Sequence, residues 1–127
     1  FNFNLKISSP KEYKPKENLL NISKDKINIF DDPYEAAKNS DVIITDVWAS
    51  MGDEKELNKR EKDFSSWQVN KKMMSLAKKN CIFMHCLPAH RNKEVTSEVI
   101  DGPKSVVWDE AENRLHTQKA LMEYMLT

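Results

Sequence analysis

Three short apolar runs constrain the fold more than any other feature of this sequence. Residues 41–46 (DVIITD), 81–84 (CIFM) and 105–108 (SVVW) are separated by charged stretches of helical character. The first is a nearly continuous β-branched run, the pattern of a strand buried on both faces. The other two also read as strands. Upstream, residues 4–8 (NLKIS) alternate and stop at Ser9-Pro10, and residues 26–30 form a second short strand. Helices are expected over 15–23, with Pro15 near its first turn, and over 33–39, behind an Asp31-Asp32-Pro33 cap. Further helices are expected over 53–62, 70–79 and about 110–125. Asp109 and Glu112 stand at capping-box spacing for the last of these.

Strands alternating with helices predict an α/β fold: a Rossmann-like parallel sheet with helices on both faces, in a single, truncated domain. Ligands in such sheets gather at the carboxyl ends of the strands. Three polar segments, DVWASMG (46–52), HCLPAHR (85–91) and DEAENRLH (109–116), each follow a predicted strand directly, so three strand ends point to one rim.

Composition removes several function classes. Twenty basic residues balance twenty acidic ones, with no basic block, which argues against a nucleic-acid partner. Gly52 and Gly102 are the only glycines, so neither a Walker loop nor a G-x-G-x-x-G turn can form within these residues. No apolar run reaches membrane-spanning length, and a soluble, cytoplasmic chain is expected with no membrane partner. Cys81 and Cys86 make neither a disulfide framework nor a four-ligand zinc set, so reduced thiols and no metal are expected. The chain opens on Phe1 without an initiator methionine and is expected to be a fragment of a longer protein.

The densest chemistry lies around Cys86. His85 and Arg91 are placed to favour a thiolate, and the Leu87-Pro88 bond is a candidate for the cis form. Covalent catalysis and proton transfer both remain open for the thiol. Asp46 ends a strand, either as a turn residue or as a carboxylate holding a substrate ammonium. Ser50 adds a hydroxyl, and Ser50-Met51-Gly52 add backbone donors. Trp48 reads as a pocket wall or as plain packing. Arg114 follows Glu110 at i,i+4 spacing, which suits either a salt bridge or a guanidinium aimed at an oxyanion. His90 and His116 read as structural or peripheral.

Together TDVWASMG (45–52), FMHCLPAHR (83–91), EV (94–95) and VVWDEAENRLHTQKALM (106–122) resemble the ornithine carbamoyltransferases. The resemblance runs from about residue 9 to the C-terminus, with three motifs in family order. The related aspartate carbamoyltransferases carry proline in place of Cys86 and lack Ser-Met-Gly. What the resemblance implies is transfer of the carbamoyl group of carbamoyl phosphate to the δ-amine of L-ornithine, giving L-citrulline and phosphate, without a cofactor. Asp46 would hold the α-ammonium, with Ser50 and Met51 at the amino-acid end. Cys86 would sit beside the δ-amine as the catalytic thiol. Backbone carbonyls of Cys86 and Leu87 would bind the carbamoyl NH2, Arg114 would bind the carbamoyl oxygen, and His85 would support the same group.

The Ser-x-Arg-Thr phosphate loop of the family's N-terminal domain is absent, as are an upstream strand and helix carrying an asparagine for ornithine. The 127 residues are therefore expected to be most of the C-terminal ornithine-binding domain, inactive alone, without the carbamoyl-phosphate domain. Full-length members would form homotrimers, or multiples of trimers, through that absent domain, and the last helix would pack partly against it. Two alternatives stay open: a different amine acceptor (putrescine or a modified ornithine), or a non-catalytic α/β interaction module. Direction, in arginine synthesis or breakdown, is not written in these residues.

Overall fold

Among the described residues every strand ladder is parallel. The computed structural model describes residues 2–20, 24–49 and 54–127. Strand β1 (Leu5–Ser8) pairs with β2 (Ile27–Phe30), Leu5 opposite Ile27 and Ser8 opposite Phe30. Strand β3 (Val42–Ile44) pairs with β4 (Ile82–Met84), Val42 opposite Ile82. Helices α1 (Glu17–Leu20), α2 (Pro33–Ala37), α3 (Glu54–Asp63) and α4 (Lys71–Leu76) lie between the strands, as parallel connections require. After β4 come α5 (Ser97–Ile100) and the long α6 (Val107–Leu126). The expected α/β class holds, with one difference in its sheet. Among the described residues the strands form two separate pairs, with α2 packed against β1, β2 and α4.

The local signals explain most boundaries. Asp32 caps α2 by accepting the Tyr34 N–H at 2.8 Å, with Pro33 as the first helical residue. Asn70 caps α4 by accepting the Met73 N–H at 2.9 Å, and α4 ends when Ala77 turns extended. The expected helix over 70–79 is thus cut at Leu76. The one expected over 15–23 is described only as Glu17–Leu20, residues 21–23 lying outside the described part.

Three expectations of local structure fail. Strand β3 is buried on one face only: Ile43 is in the core, while Ile44 is 67 % exposed and Val42 is exposed as well. It is paired on one edge only, and Ile44 stands on the open side of the pleat. Residues 105–108 are not a strand. Phe83 donates to the Lys104 carbonyl at 2.8 Å and its own carbonyl accepts from Val106 at 3.0 Å, making a single bridge at Ser105. The chain then turns into α6 at Val107, whose fully buried side chain anchors the first turn in the core. The N-cap is Val106, without a side-chain cap, so Asp109 and Glu112 form no capping box. Asp109 and Glu110 instead lie in the first turn, where the helix dipole favours acids.

The core gathers Phe83 with Val95, Val99, Ile100 and Val107, and with Met73 and Met74 of α4. The rim that follows β4 is therefore carried by a strand whose central residue, Phe83, is fully buried. Beyond Glu110, α6 is exposed along its whole length. No helix is long and apolar enough to cross a membrane among the described residues.

Candidate active site

Strands β3 and β4 are neighbours in register, so the residues just past their carboxyl ends are brought side by side. Asp46 follows β3, and His85 and Cys86 follow β4. One ligand-type atom from each of these three lies within 4.8 Å of the others. Cys86 Sγ is 3.3 Å from Asp46 Oδ1, placed for the thiol to donate to the carboxylate. The same Oδ1 accepts the Val47 N–H at 2.7 Å, which orients the carboxylate across the gap.

The first turn of α6 closes the rim. Glu110 accepts the backbone N–H of His85 at 3.0 Å. The Glu110–Arg114 salt bridge that their spacing permits is not formed, and the Arg114 guanidinium stands on the exposed face one turn further along. Ser50 and Met51 lie outside the described residues.

The loop after β4 is pinned from below. His85 and Glu94 are both fully buried, with His85 Nε2 3.2 Å from Glu94 Oε1. His85 Nδ1 accepts the Leu87 N–H at 2.9 Å. Leu87 has φ of 55°, the left-handed region that residues with a Cβ enter only when their surroundings hold them there. The Leu87-Pro88 bond is cis.

Electrostatics at the thiol run opposite to the expectation that His85 and Arg91 favour a thiolate. Desolvation of the sulfur pushes the Cys86 pKa up, and the adjoining Asp46 carboxylate raises it further by accepting the S–H and repelling a thiolate. Arg91 is turned away, engaged with Asp101 at 2.7 and 3.1 Å, and its guanidinium holds the Asp101 carboxyl below the usual carboxylate range. His85 spends both ring nitrogens inside the protein. Asp46 and Cys86 are left as the free members of the trio, a carboxylate and a thiol. That set suits an amine and a shuttled proton better than a metal, because either ring nitrogen of the third ligand, His85, is already engaged, by Leu87 or by Glu94.

The remaining candidates sort cleanly. His116 pairs with Glu112 on the exposed side of α6, and the exposed His90 ring has its Nδ1 4.0 Å from Glu94 Oε2. Trp48 is half-buried and stacked on Phe64 with centroids 6.1 Å apart, so it packs in an aromatic group that also includes Tyr13 and Trp67. Cys81 is buried, and neither cysteine is in a disulfide. Two acids support the site from positions to which the sequence assigns no such role. Glu110 shows only its helical spacing to Arg114, and Glu94 enters only as part of the EV pair of the family resemblance.

Comparison with known proteins finds relatives along nearly the whole chain. Residues 1–125 match the family model "Aspartate/ornithine carbamoyltransferase, Asp/Orn binding domain". An ornithine carbamoyltransferase of Nitrosococcus oceani is 54% identical over 99% of this chain, which spans 41% of that protein. One of Acinetobacter baumannii is 56% identical over 98% of this chain, 40% of its own length. Among solved structures, ornithine carbamoyltransferase from Pyrococcus furiosus superposes with a TM-score of 0.86 at 48% identity, over 95% of this chain and 41% of that one. The chain thus spans about 40% of the length of the curated relatives it matches. With a domain-level match over nearly every residue and the thiol–carboxylate pair at the expected strand ends, the chain belongs to the aspartate/ornithine carbamoyltransferase family, as a member's Asp/Orn-binding domain.

Proposed function

We propose that these residues form the L-ornithine half of a carbamoyltransferase that makes L-citrulline and phosphate from L-ornithine and carbamoyl phosphate. The observation that carries this reading is the 3.3 Å approach of Cys86 Sγ to Asp46 Oδ1 on a rim shared by two adjacent strand ends. With Oδ1 occupied by Val47 and Cys86, Oδ2 of Asp46 is left, among the described residues, for the α-ammonium. Ser50 and Met51 complete the amino-acid end on the strength of the family resemblance.

The reacting δ-amine has a pKa near that of lysine, about 10.4, and must lose a proton before it attacks. A neutral thiol hydrogen-bonded to a carboxylate offers a relay: the amine proton passes toward sulfur as the S–H proton shifts toward Asp46. A covalent thiol intermediate fits less well, because Asp46 holds the sulfur protonated. Attack on the carbonyl builds charge on its oxygen. The Arg114 guanidinium is the donor for it, and removal of such a donor typically costs about 3–4 kcal/mol in barrier. Carbonyls of Cys86 and Leu87 receive the carbamoyl NH2. His85, wholly inside the protein, supports this group by holding the loop that carries them.

The family resemblance assigns the phosphate end of carbamoyl phosphate, and trimer assembly, to a second domain of the longer members. Nuclear magnetic resonance titration tests the reading directly. L-ornithine should shift the signals of residues 45–49 and 85–89, and Asp46→Asn should abolish the response. Given both substrates, the 127-residue chain should form no citrulline. Turnover by the chain alone, or an ornithine response elsewhere on the surface, overturns the proposal.

A further inference from the structure

Among the described residues, His85 and Glu94 are the two polar side chains that the core encloses, at 0 % and 1 % exposure. Burying an acid in an apolar core is costly unless donors meet it. Glu94 Oε1 accepts the His90 N–H at 2.6 Å and lies 3.2 Å from His85 Nε2, while Oε2 faces His90 Nδ1 at 4.0 Å.

The direction of these bonds follows from the partners. A backbone amide can only donate, so His85 Nδ1, which receives the Leu87 N–H, presents its lone pair. The ring proton is then on Nε2, aimed at the Glu94 carboxylate. The opposite tautomer would set Nδ1–H against the Leu87 N–H and a bare Nε2 against a carboxylate, placing donor against donor and acceptor against acceptor. The residue between His85 and Leu87 is Cys86. One chain of hydrogen bonds therefore runs from Glu94 through His85 to the Leu87 amide and brackets the thiol. It also holds Leu87 at its left-handed φ of 55°, a region that a residue with a Cβ enters only when its surroundings support it.

We propose that Glu94 is a positioning residue: by holding His85 as the Nε2-protonated tautomer, it fixes the Leu87 amide and so the turn that sets Cys86 beside Asp46. Its functional meaning rests on the reading of Cys86 and Asp46 as the substrate-facing pair. The tautomer itself does not.

The test uses the 15N-labelled chain at pH 7.5 and long-range proton–nitrogen correlation of its three imidazoles. His90→Gln and His116→Gln identify the His85 signals by elimination. Wild-type His85 should carry its proton on Nε2. Glu94→Gln, whose amide oxygen can still take both donors, should keep that tautomer and the wild-type rate of Cys86 alkylation by iodoacetamide. Glu94→Ala should give mixed tautomers and several-fold faster alkylation, as the thiol leaves its carboxylate. Glu94→Asp, which withdraws the oxygens by one methylene, should show the same loss and serves where Glu94→Ala does not fold. A wild-type proton on Nδ1 overturns the proposal. So does a folded Glu94→Ala or Glu94→Asp chain with wild-type imidazole signals and thiol reactivity. Failure of the ornithine reading looks different: no ornithine response, with the His85 tautomer as stated.

Discussion

The thiol of Cys86 and the carboxylate of Asp46 meet 3.3 Å apart across the ends of two adjacent parallel strands, although forty residues separate them in sequence. The carboxylate accepts the S–H and repels a thiolate, so it raises the thiol pKa on top of the effect of desolvation. This ordering reverses the usual expectation for an exposed cysteine beside a histidine.

Asp46→Asn should therefore make Cys86 more reactive. Its pKa is raised first by desolvation and next by Asp46, and losing the negative partner lowers it. Below the thiol pKa, each unit of lowering raises the thiolate fraction about tenfold at fixed pH. Iodoacetamide alkylation at pH 7.5, followed by mass spectrometry, should accelerate, with buried Cys81 as the silent internal control.

Arg91→Gln should leave that alkylation rate unchanged, because the guanidinium faces Asp101 and not the thiol. Its effect should appear in acid instead. The Asp101 pKa is lowered, so its contribution to stability is present above the unfolded value near 3.8 and is lost as pH falls through the folded one. Unfolding midpoints of wild type and Arg91→Gln should differ at neutral pH and converge below that window.

Phe83→Ala should cost about 3–5 kcal/mol, because Phe83 is fully buried at the centre of the core. Urea denaturation followed by tryptophan fluorescence measures it. A loss under about 1 kcal/mol would show that β4 is not the element on which the core is built.

Gly102→Ala should destabilise by about 1–3 kcal/mol. A Cβ there would lie 2.5 Å from the Glu98 carbonyl oxygen, at the end of α5, and that backbone atom has little room to move. Thermal unfolding of the variant reads the loss.

Much of this arrangement was legible in the sequence because it rests on local chemistry. Asp32-Pro33 marked the start of α2, and the strand ends placed Asp46 and Cys86 on one rim. What misled was the assumption that an apolar run must be a strand with two covered faces. Residues 105–108 serve the core through Val107 alone, and one buried valine suits the first turn of a helix as well as it suits a strand. In β3, Ile44 is apolar yet exposed, and no local signal announces which strand will be left with an open edge. Glu94 was hidden for a related reason: whether an acid is solvated or enclosed depends on chain segments far from it.

The hydrogen bond from the His85 amide to Glu110 has a mechanical corollary. Val107 and Glu110 bolt the base of α6 to the core and to the thiol's strand, while Leu121, Met122 and Met125 stand 56–74 % exposed at the far end. The helix is in effect a lever with its short arm fixed beside the Cys86–Asp46 rim. Any body that grips the long arm and any ligand that reshapes the short one must influence each other by the same free energy, in both directions.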